Sequence, residues 1–126
     1  MSAAAFRKAV EARDVDGMMN ALSPNVVLNS PVSFKPIEGY DAVRTLFTIL
    51  METFQDFRYT DELQGDGTHI LVFRTRVGDR DIEGLDLLRE GPDGSIDDFT
   101  VMVRPMSGVI ALAQAVGPKL EAAAAG

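Results

Sequence analysis

Cysteine is absent from the 126-residue chain. That excludes disulfides, a thiol nucleophile and any metal site built on thiolates. Histidine occurs once, at His69, so no second imidazole is spaced to share a metal with it. Basic residues are few, with 12 Lys and Arg against 19 Asp and Glu and a formal net charge of −7. They are scattered along the chain. Phosphate binding needs a basic face, so no nucleic-acid partner is expected. No apolar run approaches the length that spans a bilayer. Residues 1–10 lack the apolar stretch of a signal peptide, so a cytoplasmic protein with no membrane partner is the expectation. A Gly-rich phosphate loop is missing as well, and no cofactor or metal is expected.

What remains is ordinary globular material, 46% hydrophobic and 25% charged. The length suits one domain over residues 1–126 with a single core. Apolar residues recur at helical spacing from Ser2 to Arg13, and Asp14 or Asp16 offers an N-cap for a second short helix carrying Met18, Met19 and Leu22. Pro24 and Asn25 are expected to close it. Val26, Val27 and Leu28 form a short β-branched run, and residues 31–39, with two prolines, read as loop. The clearest amphipathic helix spans 41–54, where Val43, Leu46, Phe47, Leu50 and Phe54 form one stripe.

After Phe54 the period changes from 3.6 to 2. Strands are expected over 57–63, 68–77, 80–90 and 95–104, separated by Gly65-Asp66-Gly67, Gly78-Asp79 and Gly91-Pro92-Asp93-Gly94. A last helix from about Val109 is expected to stop at Gly117-Pro118, with a frayed Ala-rich tail over 119–126. Segregated helices and strands argue α+β, with the four later strands in one antiparallel sheet against helix 41–54. Both faces of those strands are apolar. Helices would cover one face, and a second copy of the chain the other, which predicts a homodimer through the side carrying Asp98, Thr100, Met102 and Arg104.

The hairpin over residues 80–105 holds the most informative side chain. Asp86 has Leu85 and Leu87 beside it and shares its face with Ile82, Gly84 and Leu88. A carboxyl in apolar surroundings has its charged form disfavoured, which suits a pocket acid. A structural Asp paired with Arg74, Arg76 or Arg104 is the other reading, and it would hold the charged form. His69 shares a face with Leu71 and Phe73 and is a candidate base near neutral pH, or a partly solvated residue at a strand start. Asn29 and Ser30 either bind a ligand or serve the turn ahead of Pro31. Asp97 and Asp98 are adjacent on a strand, face opposite ways and form no dyad. Most of the aromatic residues read as core. Phe6, Phe73 and Phe99, with Leu71, Leu88 and Val101, are the candidates to line a pocket.

Four short motifs in order, Arg13-Asp14-Val15-Asp16-Gly17, Leu28-Asn29-Ser30-Pro31, Glu38-Gly39 and Asp93-Gly94-Ser95-Ile96, make the chain resemble the nuclear transport factor 2-like superfamily. More narrowly, it is similar to the SnoaL-like branch of polyketide cyclases and ketosteroid isomerase relatives. The resemblance implies a cone, a curved sheet of cystatin-like type wrapped over helices, with a pocket at its open end. It also implies dimers through the sheet. Asn29 and Ser30 would then stand at the pocket mouth and Asp86 on its wall. Ketosteroid isomerase uses a carboxylate base with a Tyr and a protonated Asp as donors to an oxyanion. By the resemblance those positions fall on Ser30, Phe6 and Asp86. Only the Asp is retained, which argues against steroid-isomerase chemistry, since Ser30 is no base for a carbon acid and Phe6 donates no hydrogen bond. The expectation is a protein binding a small apolar or aromatic molecule, with isomerisation, cyclisation or hydration by a pocket acid as the reaction class. A non-catalytic dimeric interaction module, or an accessory subunit with a vestigial pocket, is the alternative.

Overall fold

The computed structural model describes residues 2–125. Helix α1 spans Ser2–Glu11 and α2 spans Val15–Asn20. α1 ends two residues before Arg13, which takes a left-handed backbone (φ 56°) and lets the amide of Asp14 reach back to the carbonyl of Ala9. Asp14 then caps α2, its carboxylate accepting from the amide of Gly17 at 3.0 Å. Strand β1 runs Leu22–Asn29, through the Pro24 expected to end a helix. Pro24 is tolerated because it falls where the register slips between Leu22 and Val27, and there no ladder amide is needed. Val26 and Leu28 point inward and are fully buried.

The loop after β1 contributes a two-residue strand, β2 (Ile37–Glu38), paired with Val27 and Leu28. Helix α3 (Tyr40–Thr53) follows, with Val43, Leu46, Phe47 and Ile49 buried along one side. Strands β3 (Gln55–Gln64), β4 (Thr68–Val77), β5 (Arg80–Glu90) and β6 (Ile96–Arg104) are antiparallel neighbours, as the change of period predicts. The full sheet has the order β2-β1-β6-β5-β4-β3, and β1 joins β6 in parallel. It is curved and unclosed, and the helices lie in its concavity. The architecture is α+β.

Helix α4 (Met106–Ala125) differs most from expectation, since it continues through Pro118. Proline costs one helical hydrogen bond and crowds the preceding turn. Leu120, two residues further on, packs partly buried against the core, and that burial offsets the cost. The residues up to Ala125 are helical where a frayed tail was expected, and Gly126 lies outside the described residues. No helix among the described residues is long and apolar enough to cross a membrane.

Candidate functional site

The inner face of the sheet follows from alternation. On β5 the buried residues are Ile82, Gly84, Asp86 and Leu88. On β4 they are His69, Leu71, Phe73, Thr75 and Val77. Register sets Leu71 opposite Asp86 on one side and Val101 opposite it on the other. Two aromatic groups line this concavity. Phe6, Phe47 and Phe99 meet with ring centroids 5.1–5.7 Å apart. Phe54, Phe57 and Phe73 form the second group at 5.0–6.1 Å, with Tyr59 edge-on to Phe57. Such tilted and offset pairs are favourable, worth about 0.5–1.5 kcal/mol each beyond the area they bury. They leave between them a cavity of about 240 Å³ with almost entirely apolar walls. Its rim includes Ser30, Pro31 and the exposed Val32 from the loop after β1, and Gly117 and Leu120 from α4.

Asp86 is the one carboxylate on this wall among the described residues, and it is 6% exposed. Its neighbour is a phenol. The Tyr59 hydroxyl donates to Asp86 Oδ2 at 3.5 Å, a long bond. Burial pushes the Asp86 carboxyl up to about 7, while the Tyr59 hydrogen bond pulls weakly the other way. The Tyr59 phenol is driven well above its ordinary value, first by its own burial and then by the nearby Asp86 charge. The guanidinium of Arg7 lies over the Tyr59 ring, 5.3 Å from its centroid, held by Glu62 at 2.9 Å and Glu11 at 3.6 Å. The arginines that offered an ion-pair partner for Asp86 are engaged elsewhere. Arg74 and Arg104 both pair with Glu83 at 3.1 Å, and Arg76 pairs with Asp56. Near neutral pH Asp86 can therefore stand in either protonation state inside an apolar space, with no counter-cation among the described residues.

The other candidates divide. Phe6, Ser30, Phe73, Phe99 and Val101 line the cavity beside Asp86. Leu71 and Leu88 share its face but are sealed in the core, fully buried, without reaching the open space. Asn29 turns outward and donates from its side-chain amide to Thr100 Oγ1 at 3.1 Å. His69 is neither in the cavity nor half-solvated. It is 3% exposed, and its Nε2 meets Glu90 Oε1 at 3.0 Å near the end of the sheet. Tyr59 lies on the strand expected over 57–63 and joins the site without being among the residues the sequence marks for it. Its alternation with Phe57 was the available signal, since the two must share the inner face. Among the described residues no group of three or more acidic or imidazole side chains is arranged to hold a metal.

Comparison with known proteins places this geometry in context. A family described as a SnoaL-like domain matches residues 3–104. A steroid delta-isomerase from Pseudomonas aeruginosa is 37% identical over 99% of this chain and 93% of its own, with a TM-score of 0.90. An uncharacterised bacterial protein with a cystatin-like fold from Silicibacter pomeroyi is 28% identical over 94% of this chain and 84% of its own, with a TM-score of 0.88. An epoxide hydrolase/cyclase-like enzyme of pyran ring formation in the polyether salinomycin shares the fold at 18% identity, over 85% of this chain and 90% of its own, with a TM-score of 0.70. None of the curated proteins matches the chain.

Proposed function

Starting from the premise that this chain belongs to the SnoaL-like domain family, we propose that it binds a small, largely apolar molecule in its cavity, with Asp86 and Tyr59 meeting an oxygen of that molecule. The observation that carries the reading is Asp86 itself. A carboxyl taken out of water without a cation costs stability, and here its one hydrogen-bonding neighbour among the described residues is a phenol 3.5 Å away. Carboxyls perturbed by burial in a cleft cluster at functional sites.

Volume limits the ligand. A cavity of 150 Å³ takes a benzene ring, so 240 Å³ takes about ten non-hydrogen atoms, the size of one or two fused rings. The reaction class suited to the site is proton transfer without a cofactor. An acid titrating near 7 gives or takes a proton at neutral pH with little penalty either way, and Tyr59 can donate to charge developing on a substrate oxygen. The Pseudomonas relative is a steroid delta-isomerase by name. Proton shuttling of that general type stays open to this chain through Asp86, although with one carboxylate lining the cavity among the described residues the same group must both take the proton and return it.

Binding of 2-naphthol, a two-ring molecule with one hydroxyl, tests the reading by calorimetry at pH 6. The wild type is expected to bind it, and Asp86→Asn to bind about tenfold more weakly, the loss typical of a hydrogen bond to an ionisable group. Equal affinity in the two proteins, or no binding to the wild type at millimolar concentration, would overturn it.

A further inference from the structure

Ser30 is the first residue after β1, and its hydroxyl behaves unlike those of its neighbours. Ser23 and Ser33 each turn their hydroxyl to the local chain, accepting from the amides of Asn25 at 3.2 Å and Lys35 at 3.3 Å. That is the usual turn chemistry of serine. The Ser30 hydroxyl makes no such bond among the described residues, and the next residue, Pro31, has no amide hydrogen to offer. Alternation explains where the hydroxyl goes instead. Asn29 points outward to Thr100, so Ser30 points inward, and it lines the cavity. No sealed side-chain nitrogen or oxygen among the described residues lacks a partner, so this hydroxyl is accessible, on a residue that lines the cavity.

Register locates it relative to Asp86. Asn29, the last residue of β1, pairs with Thr100 in the parallel β1–β6 ladder, and continuing that register by one residue sets Ser30 beside Val101, which lines the cavity with it. Val101 pairs with Asp86 across β6 and β5. Ser30 and Asp86 are thus two strand spacings apart on one concave wall, about 10 Å between backbones, with an apolar side chain between them. The wall reads polar, apolar, polar along a single row.

We propose that the molecule this cavity takes carries two oxygen functions at opposite ends of a flat apolar frame, one met by Asp86 with Tyr59 and the other by the hydroxyl of Ser30. The proposal deepens the reading above and depends on it. A ligand with one oxygen leaves one of the two anchors without a partner, and an unmet polar group inside a binding site is what discriminates between otherwise similar molecules.

The test compares two probes, 2-naphthol and naphthalene-2,6-diol, on the wild type, Ser30→Ala and Ser30→Thr. The wild type is expected to prefer the diol about fivefold, the worth of one added hydrogen bond, beyond the factor of about two that a symmetric diol gains from its two orientations. In Ser30→Ala the preference should fall to that statistical factor. In Ser30→Thr, which keeps the hydroxyl, it should persist. A wild type that binds 2-naphthol with no preference for the diol, or a preference equal in wild type and Ser30→Ala, overturns the two-anchor proposal and leaves the single-anchor reading intact. Failure of both probes to bind overturns both.

Discussion

Asp86 sets the chemistry because of what surrounds it and what does not. Leucines flank it in sequence, aromatic rings face it across the cavity, and the arginines that might have paired with it are engaged with Glu83 and Asp56. Its face was legible from alternation alone, because a strand with Ile82, Gly84 and Leu88 on one side leaves no doubt which way Asp86 points. Its partner was not. Tyr59 lies on β3, two strands away, and the β3–β4 ladder slips both before and after it, between Gln55 and Arg58 and between Tyr59 and Asp61. Those slips decide which β3 side chain reaches Asp86, and a β-bulge leaves little trace in a sequence. His69 was legible as inward-facing, yet its pairing with Glu90 depends on the β4–β5 register, which sets His69 opposite Leu88, two residues from Glu90. Removing the phenol gives a prediction at this scale. Tyr59 donates to the carboxylate and so favours its charged form. Tyr59→Phe should raise the Asp86 titration midpoint further, read from its side-chain carboxyl carbon by NMR. A midpoint that falls or does not move would show that the 3.5 Å contact carries no interaction.

Elements were read most accurately where two signals agreed. The strands from β3 to β6 are bounded by Gly-containing turns and carry a period of two, and their limits fall within a residue or two of expectation. The misread boundaries are those where one residue acts against its type. Arg13 adopts a backbone that glycine usually supplies, so α1 ends early. Pro118 stays inside α4 because Leu120 beyond it is packed. Gly84 shows a glycine used for close approach within a strand. A Cβ there would sit 2.5 Å from the Phe73 ring and 2.8 Å from the carbonyl oxygen of Met102, closer than any contact can be. Its absence lets the Phe73 ring lie across β5 next to Asp86. Gly84→Ala should destabilise the protein by about 1–3 kcal/mol in urea unfolding, the range for overfilling a packed core. An unchanged midpoint would mean that Phe73 moves aside freely and that the aromatic wall is not rigid.

The molecule as a whole has one covered sheet face and one uncovered. On the uncovered side Ile70 pairs with Leu87, Val72 with Leu85, Leu85 with Met102 and Leu87 with Thr100, an apolar block three strands wide. Glu83 with Arg74 and Arg104 forms a charged edge beside it, and Met102 is 52% exposed. A second copy of the chain is the partner that the alternation first suggested, and sedimentation should give a dimer that Met102→Asp dissociates. A monomer at high micromolar concentration would count against it.

The whole fold also bears the cost of its buried acid, and the sign of that cost is fixed. Asp86 titrates near 7 in the native state and near 3.9 unfolded, so between those values the native state holds a proton that the unfolded chain has released. Stability from this group is fully present below about 4 and is lost as pH rises through 7, a change of a few kcal/mol. Asparagine keeps the shape and cannot ionise. Thermal melts of wild type and Asp86→Asn from pH 4 to pH 8 show whether Asp86 is an unpaired acid in the folded protein. The wild type is expected to lose stability relative to the variant across that range, and the variant to be equal or more stable at pH 7 and above. A variant clearly less stable than wild type at pH 8 would mean that Asp86 is held as a charged partner in the native fold, and would contradict the claim that it is an unpaired acid in the cavity.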